Sequence, residues 1–163
     1  MRNFLTSRKV SVLVRRRAVK TYIWSILLYG AEAWTINKEM EKRLEAMEMW
    51  MWRRMMKVSW VERKSNEEVL RMVGVKRELM CAVRARQMRF LGHVMRRGEI
   101  ENVVLTGLID GRRARGRPRE TFMCGIKRAL RGRLSCARIL QATDDRERWR
   151  SMVAEFQEEM PRW

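Results

Sequence analysis

Apolar side chains recur every three or four positions along much of the chain, which is the periodicity of an amphipathic α-helix. From Ser11 to about Trp34 this pattern predicts one long helix, and Ser11 is placed to cap its start. Asn37 is placed to cap a second helix, which is expected to end near Ser59 or Trp60. The apolar stripe of this second helix is formed by Met40, Leu44, Met47, Met51, Met55 and Val58.

Two further helices are predicted downstream. Ser65 and Glu68 have the spacing of a capping box, and Gly74 is a natural helix stop. A fourth helix is predicted over about Lys76 to Arg97, before Gly98. At about 100° per residue, a set of basic side chains falls within an arc of about 100° beside its apolar face. This predicted basic stripe consists of Arg86, Arg89, His93, Arg96 and Arg97.

Residues 103–119 lose the helical pattern. β-branched residues lead into Asp110-Gly111, a dipeptide favoured in tight hairpin turns, and alternating arginines follow. We therefore expect a small hairpin with an Arg-rich return strand. Helical spacing then resumes, with helix starts predicted at Thr121, Ser135 and Thr143.

Together these patterns predict a mainly α protein, a helical bundle with a small Arg-rich β-hairpin and C-terminal helices. The chain has 163 residues and 46% hydrophobic side chains, enough to bury a core. We divide it into a helical region over residues 1–98 and a region with the hairpin and the last helices over residues 99–163.

Positive charge dominates the composition, because 37 Lys and Arg face 19 Asp and Glu, for a net charge of +18. Residues 1–31 carry seven basic side chains and no acid, and residues 81–140 carry 15 basic and four acidic ones. Of the basic residues 29 are Arg, whose planar guanidinium grips phosphate and stacks on bases. Binding to a polyanion is the leading inference, while the alternative is that the arginines only keep the protein soluble.

Membrane insertion and secretion are not expected. The longest uncharged run, from Thr21 to Ala31, has 11 residues, whereas a bilayer crossing needs roughly 20. Basic residues interrupt the first apolar stretches, which argues against a signal peptide. The cysteines, Cys81, Cys124 and Cys136, cannot all pair with one another, so a reducing, intracellular compartment is expected. Within it, a nuclear or a cytoplasmic location is expected, and the basic runs are the reason for including the nucleus.

Residues able to perform catalysis are sparse. His93 is the one histidine and lies 12 residues from Cys81, so we expect no metal site there. Asp144 and Asp145 are adjacent, but they lie at the start of the helix predicted after Thr143, where acids favour the helix dipole. A polymerase-type magnesium site would need an aromatic residue where Ala142 stands. We therefore predict neither catalysis nor a bound metal or cofactor.

The 14 methionines and seven tryptophans mostly suit a core. We expect Trp24, Trp34 and Trp149 to be buried. For Trp52 a second role stays open, because together with Arg53-Arg54 it could offer a stacking surface for bases.

Residues 112–119, RRARGRPR, contain five arginines and no acid. Their centre, Arg115-Gly116-Arg117-Pro118, matches the R-G-R-P core of an AT-hook, in which extended arginines enter a narrow minor groove. Minor-groove insertion and general phosphate gripping both stay open, and both predict a nucleic-acid ligand.

Six ordered blocks along the chain resemble the C-terminal part of endonuclease/reverse transcriptases from LINE-type, non-LTR retrotransposons. The resemblance covers nearly the whole chain, and the order and spacing of the blocks make it more specific than any single motif. The blocks are VKTYIWSILLYGAEAW (19–34), LEAMEMWMWRRMMKVSW (44–60), NEEVL (66–70), RARQMRFLGHVMRR (84–97), GLIDGRRARGRPRETF (107–122) and ATDDRERWRSMV (142–153).

The resemblance implies that the first helix is similar to the end of a polymerase thumb and that the remainder is similar to a basic extension beyond it. It also implies a parental RNA-directed DNA polymerase that uses magnesium in its full-length form, with element RNA as template and a nicked target as primer. The family's catalytic aspartates and its endonuclease domain have no counterpart in this sequence, so we expect neither polymerization nor cleavage.

The chain departs from the family pattern inside the blocks. Met51 stands where Cys is usual, Phe122 where Trp is usual, and Cys124 where an acid is expected. Such drift is typical of a decaying genomic copy.

We therefore expect a non-catalytic fragment that binds RNA or DNA, with the missing palm as a further partner. The expected phosphate-binding residues are Arg15, Arg16, Arg17, Arg86, Arg89, Arg96, Arg97, Arg112, Arg113, Arg115, Arg117 and Arg119. The alternative is an orphan or interaction protein from a decayed retroelement copy, whose exposed apolar faces bind a partner.

Overall fold

A computed structural model describes residues 2–7, 9–98, 100–106, 115–116 and 120–159; these are mainly helical, and no β-strand occurs among them. The mainly α prediction is confirmed. A π turn spans Val19–Ile23, and 3-10 turns span Ala31–Ala33 and Trp60–Glu62. The α-helices are α1 (Arg2–Thr6), α2 (Val12–Ala18), α3 (Trp24–Leu27), α4 (Lys38–Met56), α5 (Asn66–Val73), α6 (Leu79–Arg97), α7 (Ile100–Thr106), α8 (Phe122–Ala129), α9 (Cys136–Asp144) and α10 (Arg146–Glu159).

The chain divides into two compact units. The first unit contains the described residues up to Tyr29 together with Glu39–Cys81, and the second contains Gly30–Lys38 together with the described residues from Ala82 onward. The boundary between the units lies after Cys81, whereas the sequence-based division lies at residue 98, which stays a prediction.

The single helix expected over Ser11–Trp34 is interrupted. Helix α2 begins as predicted, with the Oγ of Ser11 accepting the N–H of Val14 at 3.4 Å. The π turn follows, and α3 ends before Gly30, which has a left-handed φ of 68°. Glycine is the residue that takes positive φ without steric cost, so the helical path ends there rather than at Trp34.

The caps of α5 confirm the local prediction. The Oγ of Ser65 accepts the N–H of Glu68 at 3.2 Å, and a Glu68 carboxylate oxygen accepts the N–H of Ser65 at 2.6 Å. Gly74 ends the helix with a φ of 71°. These contacts lie within ten residues of the chain, which is why the sequence predicts them well.

The buried face of α4 agrees with the predicted stripe at Met51 and Met55 and differs from it elsewhere. Met40 and Met47, expected in the core, are 41% and 36% exposed. The buried side chains of this helix are Glu48, Met49, Met51, Trp52 and Met55. Apolar residues surround much of this helix, so their spacing alone did not fix which side faces the core.

Helix α6 begins at Leu79 instead of Lys76 because a side chain from α4 caps it. Glu48, which is 1% exposed, accepts the N–H of Glu78 at 3.0 Å and that of Leu79 at 3.2 Å through Oε1. Burial raises the pKa of the Glu48 carboxyl above its ordinary value of 4.5, against the lowering effect of these two hydrogen bonds. The start of α6 is thus set by a residue 31 positions away.

Two buried polar side chains of α6 hold the segment Gly30–Lys38 in the second unit. Gln87 Nε2 donates to two carbonyl oxygens of this segment, at 3.3 and 2.7 Å. Arg84, 4% exposed, donates from Nη1 to Gln87 Oε1 at 2.8 Å and from Nη2 to Ile36 O at 3.4 Å. Because buried polar groups need hydrogen-bond partners, this network stabilises an otherwise apolar face.

Gly92 permits the close approach of α10 to α6. Trp149 is buried, and its Nε1 donates to the carbonyl oxygen of Met88 at 2.8 Å. A Cβ atom on Gly92 would lie 2.3 Å from the indole Cδ1, well inside van der Waals contact. A larger residue at position 92 would therefore push the two helices apart.

The predicted hairpin is not supported. Val103 and Val104, expected in its first strand, lie in helix α7. The helix propensity of valine is only a few tenths of a kcal/mol below that of good helix formers, so β-branched residues do not exclude a helical turn. The Asp110-Gly111 turn and most of the predicted return strand lie outside the described residues.

The C-terminal helices largely follow the sequence prediction. Thr121 and Ser135 cap α8 and α9 with their hydroxyl oxygens. The third cap is Asp145, not Thr143. Asp145 Oδ1 accepts the N–H of Glu147 at 2.9 Å and that of Arg148 at 3.1 Å. Thr143 is instead buried near the end of α9.

Candidate nucleic-acid interface

Helix α6 carries the predicted basic stripe. Its sequence, LMCAVRARQMRFLGHVMRR, contains five arginines, one histidine and no acid. The opposite face of the helix is apolar apart from the buried Arg84 and Gln87. The exposed cationic set, which we call the α6 stripe, consists of Arg86, Arg89, Arg96 and Arg97, and His93 is exposed among them.

Two members of the α6 stripe are fixed by neighbouring helices of the second unit. Arg89 Nη2 donates to Gln157 Oε1 at 2.8 Å, and Arg96 Nη1 donates to the carbonyl oxygen of Thr143 at 2.9 Å. Both acceptors are uncharged, so each guanidinium keeps its full positive charge toward solvent. An oriented guanidinium with remaining N–H donors is suited to phosphate.

The three arginines at positions 15–17, expected to assist in phosphate binding, differ in their exposure and contacts. Arg15 is 7% exposed, and its Nη1 donates to Met55 O at 2.8 Å and to Leu5 O at 3.1 Å. Arg16 Nη1 donates to Gly74 O at 2.6 Å, and Arg17 is exposed. The guanidinium of Arg15 therefore stabilises the fold, and this residue is not part of the proposed interface.

The arginine run is described at one position. Arg115 is exposed beside Gly116, whose φ is 134°. Arg112, Arg113, Arg117 and Arg119 lie outside the described residues.

Within the described part of the chain, no three His, Cys, Asp or Glu side chains are close enough to hold a metal ion. His93 is exposed on the α6 stripe. Asp145 caps α10, as the sequence favoured, whereas Asp144 ends α9 instead of lying in the first turn of the last helix. At Cys124 the Thr121 hydroxyl donates to Sγ at 3.2 Å, and this bond lowers the pKa of the thiol below its ordinary value of 9.0.

A second cationic region lies at the end of α4, but Trp52, for which a stacking role stayed open, is not part of its surface. Trp52 is 0% exposed, so it offers no stacking surface. Trp50 and Trp60 are instead exposed by 54% and 79%. Arg54 Cζ lies 5.6 Å from the ring centroid of Trp50, and Arg53 Cζ lies 5.1 Å from that of Trp60.

These side chains line a hollow of about 420 Å³, which we call the α4 groove. Its principal lining residues are Trp50, Arg53, Arg54, Lys57 and Trp60. The clue available in the sequence was the phase of α4: once Trp52 faces the core, Trp50 two positions earlier must face away from it.

No helix in the described part of the chain is both long and apolar enough to cross a bilayer. Comparison of the chain with protein-family models, with curated proteins and with solved structures gave no match. The resemblance to non-LTR reverse transcriptases therefore stays a prediction.

Proposed function

We propose that this chain is a non-catalytic nucleic-acid-binding protein, similar to the thumb and C-terminal region of a retrotransposon reverse transcriptase. The observation that carries the proposal is the α6 stripe, four exposed arginines along one side of a helix that contains no acid. Several cations on one side of a helix can contact several phosphates of one backbone and gain affinity by releasing its counterions.

The rest of the charge distribution supports the same ligand class. Arg17 and Arg115 are exposed, and the arginine run around Arg115 has no acid over residues 112–119. Solubility alone requires far less than a net charge of +18.

The test is fluorescence anisotropy of the full chain with a structured RNA, a duplex DNA and an RNA/DNA hybrid, each titrated with salt. We expect affinity to fall with salt at a slope corresponding to about 5 to 8 phosphate contacts, at roughly 0.9 per contact on duplex DNA. The ranking of the three ligands identifies the preferred one. Absence of binding at moderate salt would contradict the proposal.

Two matched variants each remove four positive charges from a different part of the second unit. The test variant replaces Arg86, Arg89, Arg96 and Arg97 by Gln, and the control variant replaces the exposed Arg138, Arg146, Arg148 and Arg150 by Gln. Only the first is expected to reduce the salt slope by about one per residue. The double variant Arg86→Gln/Arg97→Gln leaves the hydrogen bonds of Arg89 and Arg96 intact. A reduced slope in this variant is therefore due to lost charge and not to unfolding.

A specific apolar surface favours the second candidate function, that of an interaction protein. Tyr22, Ile26 and Tyr29 are 58%, 79% and 85% exposed and follow one another at helical spacing. Apolar side chains grouped on a surface are typical of protein contacts. If Ile26→Asp converts a polydisperse preparation into a monomer without changing nucleic-acid affinity, this face is an interaction surface distinct from the α6 stripe.

A further inference from the structure

The α4 groove combines two kinds of group that the α6 stripe does not. Its walls include two exposed indole rings, Trp50 and Trp60, and three cations, Arg53, Arg54 and Lys57. The α6 stripe has no indole or phenyl ring beside its cations: the Trp and Phe side chains described in the second unit are buried or half-buried. A site with both groups can bind a ligand that is anionic and flat.

The indole rings are available to such a ligand. Trp60 stays 79% exposed although Arg53 lies against its ring, so one guanidinium does not cover it. Arg53 is held in place, because its Nη2 donates to Lys64 O at 2.8 Å and to Asn66 Oδ1 at 3.0 Å. Arg53 is therefore a positioning residue for Trp60. The groove volume of about 420 Å³ lies within the range of roughly 300 to 1,000 Å³ found for small-ligand sites.

The charge of the groove is uncompensated by the residues that line it. No carboxylate is among its described lining residues. Glu62, the next acid along the chain, is engaged elsewhere: its Oε1 accepts the N–H of Ser59 at 2.9 Å, and its Oε2 pairs with Lys64 Nζ at 2.6 Å. Arg54 and Lys57, both exposed, are thus the groups that an incoming anion would meet.

The backbone at Lys57 is a further unusual feature of the groove. Lys57 ends α4 with a φ of 57°, in the left-handed region that glycine adopts at lower cost. Glycine would stabilise the helix end, yet a cation occupies the position. Strained backbone of this kind often lies at binding sites.

We propose that the α4 groove binds unpaired nucleotides of single-stranded nucleic acid, with bases stacked on Trp50 and Trp60 and phosphates held by Arg54 and Lys57. Paired bases are stacked within their own helix, so a duplex cannot present their flat faces to the indoles. The inference rests on the proposed function for its class of ligand, but it concerns a different site and a different property, the recognition of bases.

The first test compares four probes of the full chain at one salt concentration: oligo(dT), oligo(U), an abasic deoxyribose-phosphate oligomer of equal length, and polyglutamate. We expect both base-containing probes to bind roughly 5- to 150-fold more tightly than the abasic one, the contribution of about one stacked base. We also expect them alone to quench tryptophan fluorescence. Equal affinity of the base-containing and abasic probes would overturn the groove proposal and leave the α6 stripe proposal standing.

The second test assigns the effect to the groove. Trp60→Ala is expected to remove most of the preference for bases, and Val61→Ala, which changes the exposed neighbour outside the groove lining, is expected to retain it. Lys57→Gly removes the cation while relieving the backbone, so we expect weaker binding to oligo(dT) with equal or higher thermal stability. Unchanged base preference in Trp60→Ala would overturn the proposal, and so would tighter binding of polyglutamate than of oligo(dT).

Failure of this inference is distinguishable from failure of the proposed function. Loss of the salt-dependent binding in the α6 stripe variant, with no base preference in the wild type, rejects the groove alone. Absence of binding to every probe rejects both.

Discussion

The α4 groove and the α6 stripe use the same cation in different surroundings. On α6 the exposed arginines project from a helix with no acid, and Arg89 and Arg96 donate to a glutamine side chain and a backbone carbonyl. At the end of α4 they lie against exposed tryptophan rings. The first arrangement responds to the charge of a ligand and the second to charge and shape together. The surroundings of an arginine, more than its presence, decide what it can recognise.

The largest expected effect comes from removing the α6 stripe. The variant with Gln at positions 86, 89, 96 and 97 should lower the log-log salt slope by about 3 to 4, which at about 0.1 M salt is roughly a thousandfold loss of affinity. The variant Trp50→Ala/Trp60→Ala should leave the slope unchanged. Anisotropy titrations of both variants on the same oligonucleotide measure the difference. If the two variants change the slope equally, the two regions do not differ in how strongly they depend on the charge of the ligand.

A smaller effect is expected from a buried arginine of α6. Arg84→Ala leaves Gln87 Oε1 and Ile36 O without their buried donor, so the free energy of unfolding should fall by about 2 to 4 kcal/mol. Arg54→Ala, in the exposed groove, should change it by less than about 0.5 kcal/mol. Urea unfolding of both variants tests this. Similar losses in the two variants would mean that burial does not separate structural from binding arginines here.

The smallest effect concerns the pH dependence of stability. Burial raises the pKa of Glu48 in the folded state above 4.5, so the folded protein holds this proton more tightly than the unfolded chain. The stabilisation from protonated Glu48 is complete below pH 4.5 and is lost as the pH rises through the raised pKa. Glu48→Gln keeps an oxygen for the two backbone N–H groups but does not ionise.

The measurement for Glu48 is the difference in unfolding free energy between wild type and Glu48→Gln from pH 4 to 8. We expect the variant to gain stability relative to wild type as the pH rises. A difference that is constant with pH would show that Glu48 has the same pKa folded and unfolded. The exposed Glu62 and Glu67, whose pKa values are lowered, are present in both proteins and cancel in the comparison.

What the sequence could predict depends on how far along the chain the determining contact lies. The caps at Ser11 and Ser65 are satisfied within three residues and were predicted, as were helix starts at Thr121 and Ser135, whereas the equally local cap of α10 was predicted at Thr143 and is Asp145. The start of α6 was not predicted, because its cap comes from another helix. Local signals decide local structure, while a tertiary hydrogen bond leaves no pattern in the neighbouring residues.

The candidate site likewise has one part that local sequence patterns predict and one part that depends on tertiary contacts. The exposed stripe of α6 could be predicted because its buried face is apolar at strict helical spacing and the arginines fall beside it. The groove could not be predicted, because α4 carries Met and Trp on several sides and spacing alone did not show which of them face solvent. Trp60 lies outside α4, in the following 3-10 turn, so its approach to Arg53 depends on the path of the chain after the helix.

The cap that Glu48 provides also links the opening of one helix to that of another. The amide hydrogens of Glu78 and Leu79 are held by a carboxylate that belongs to α4, not by a neighbour in their own helix. Their exchange with solvent deuterium should therefore report the departure of α4 from this position, and not the fraying of the first turn of α6. In exchange experiments these two amides would behave as part of α4.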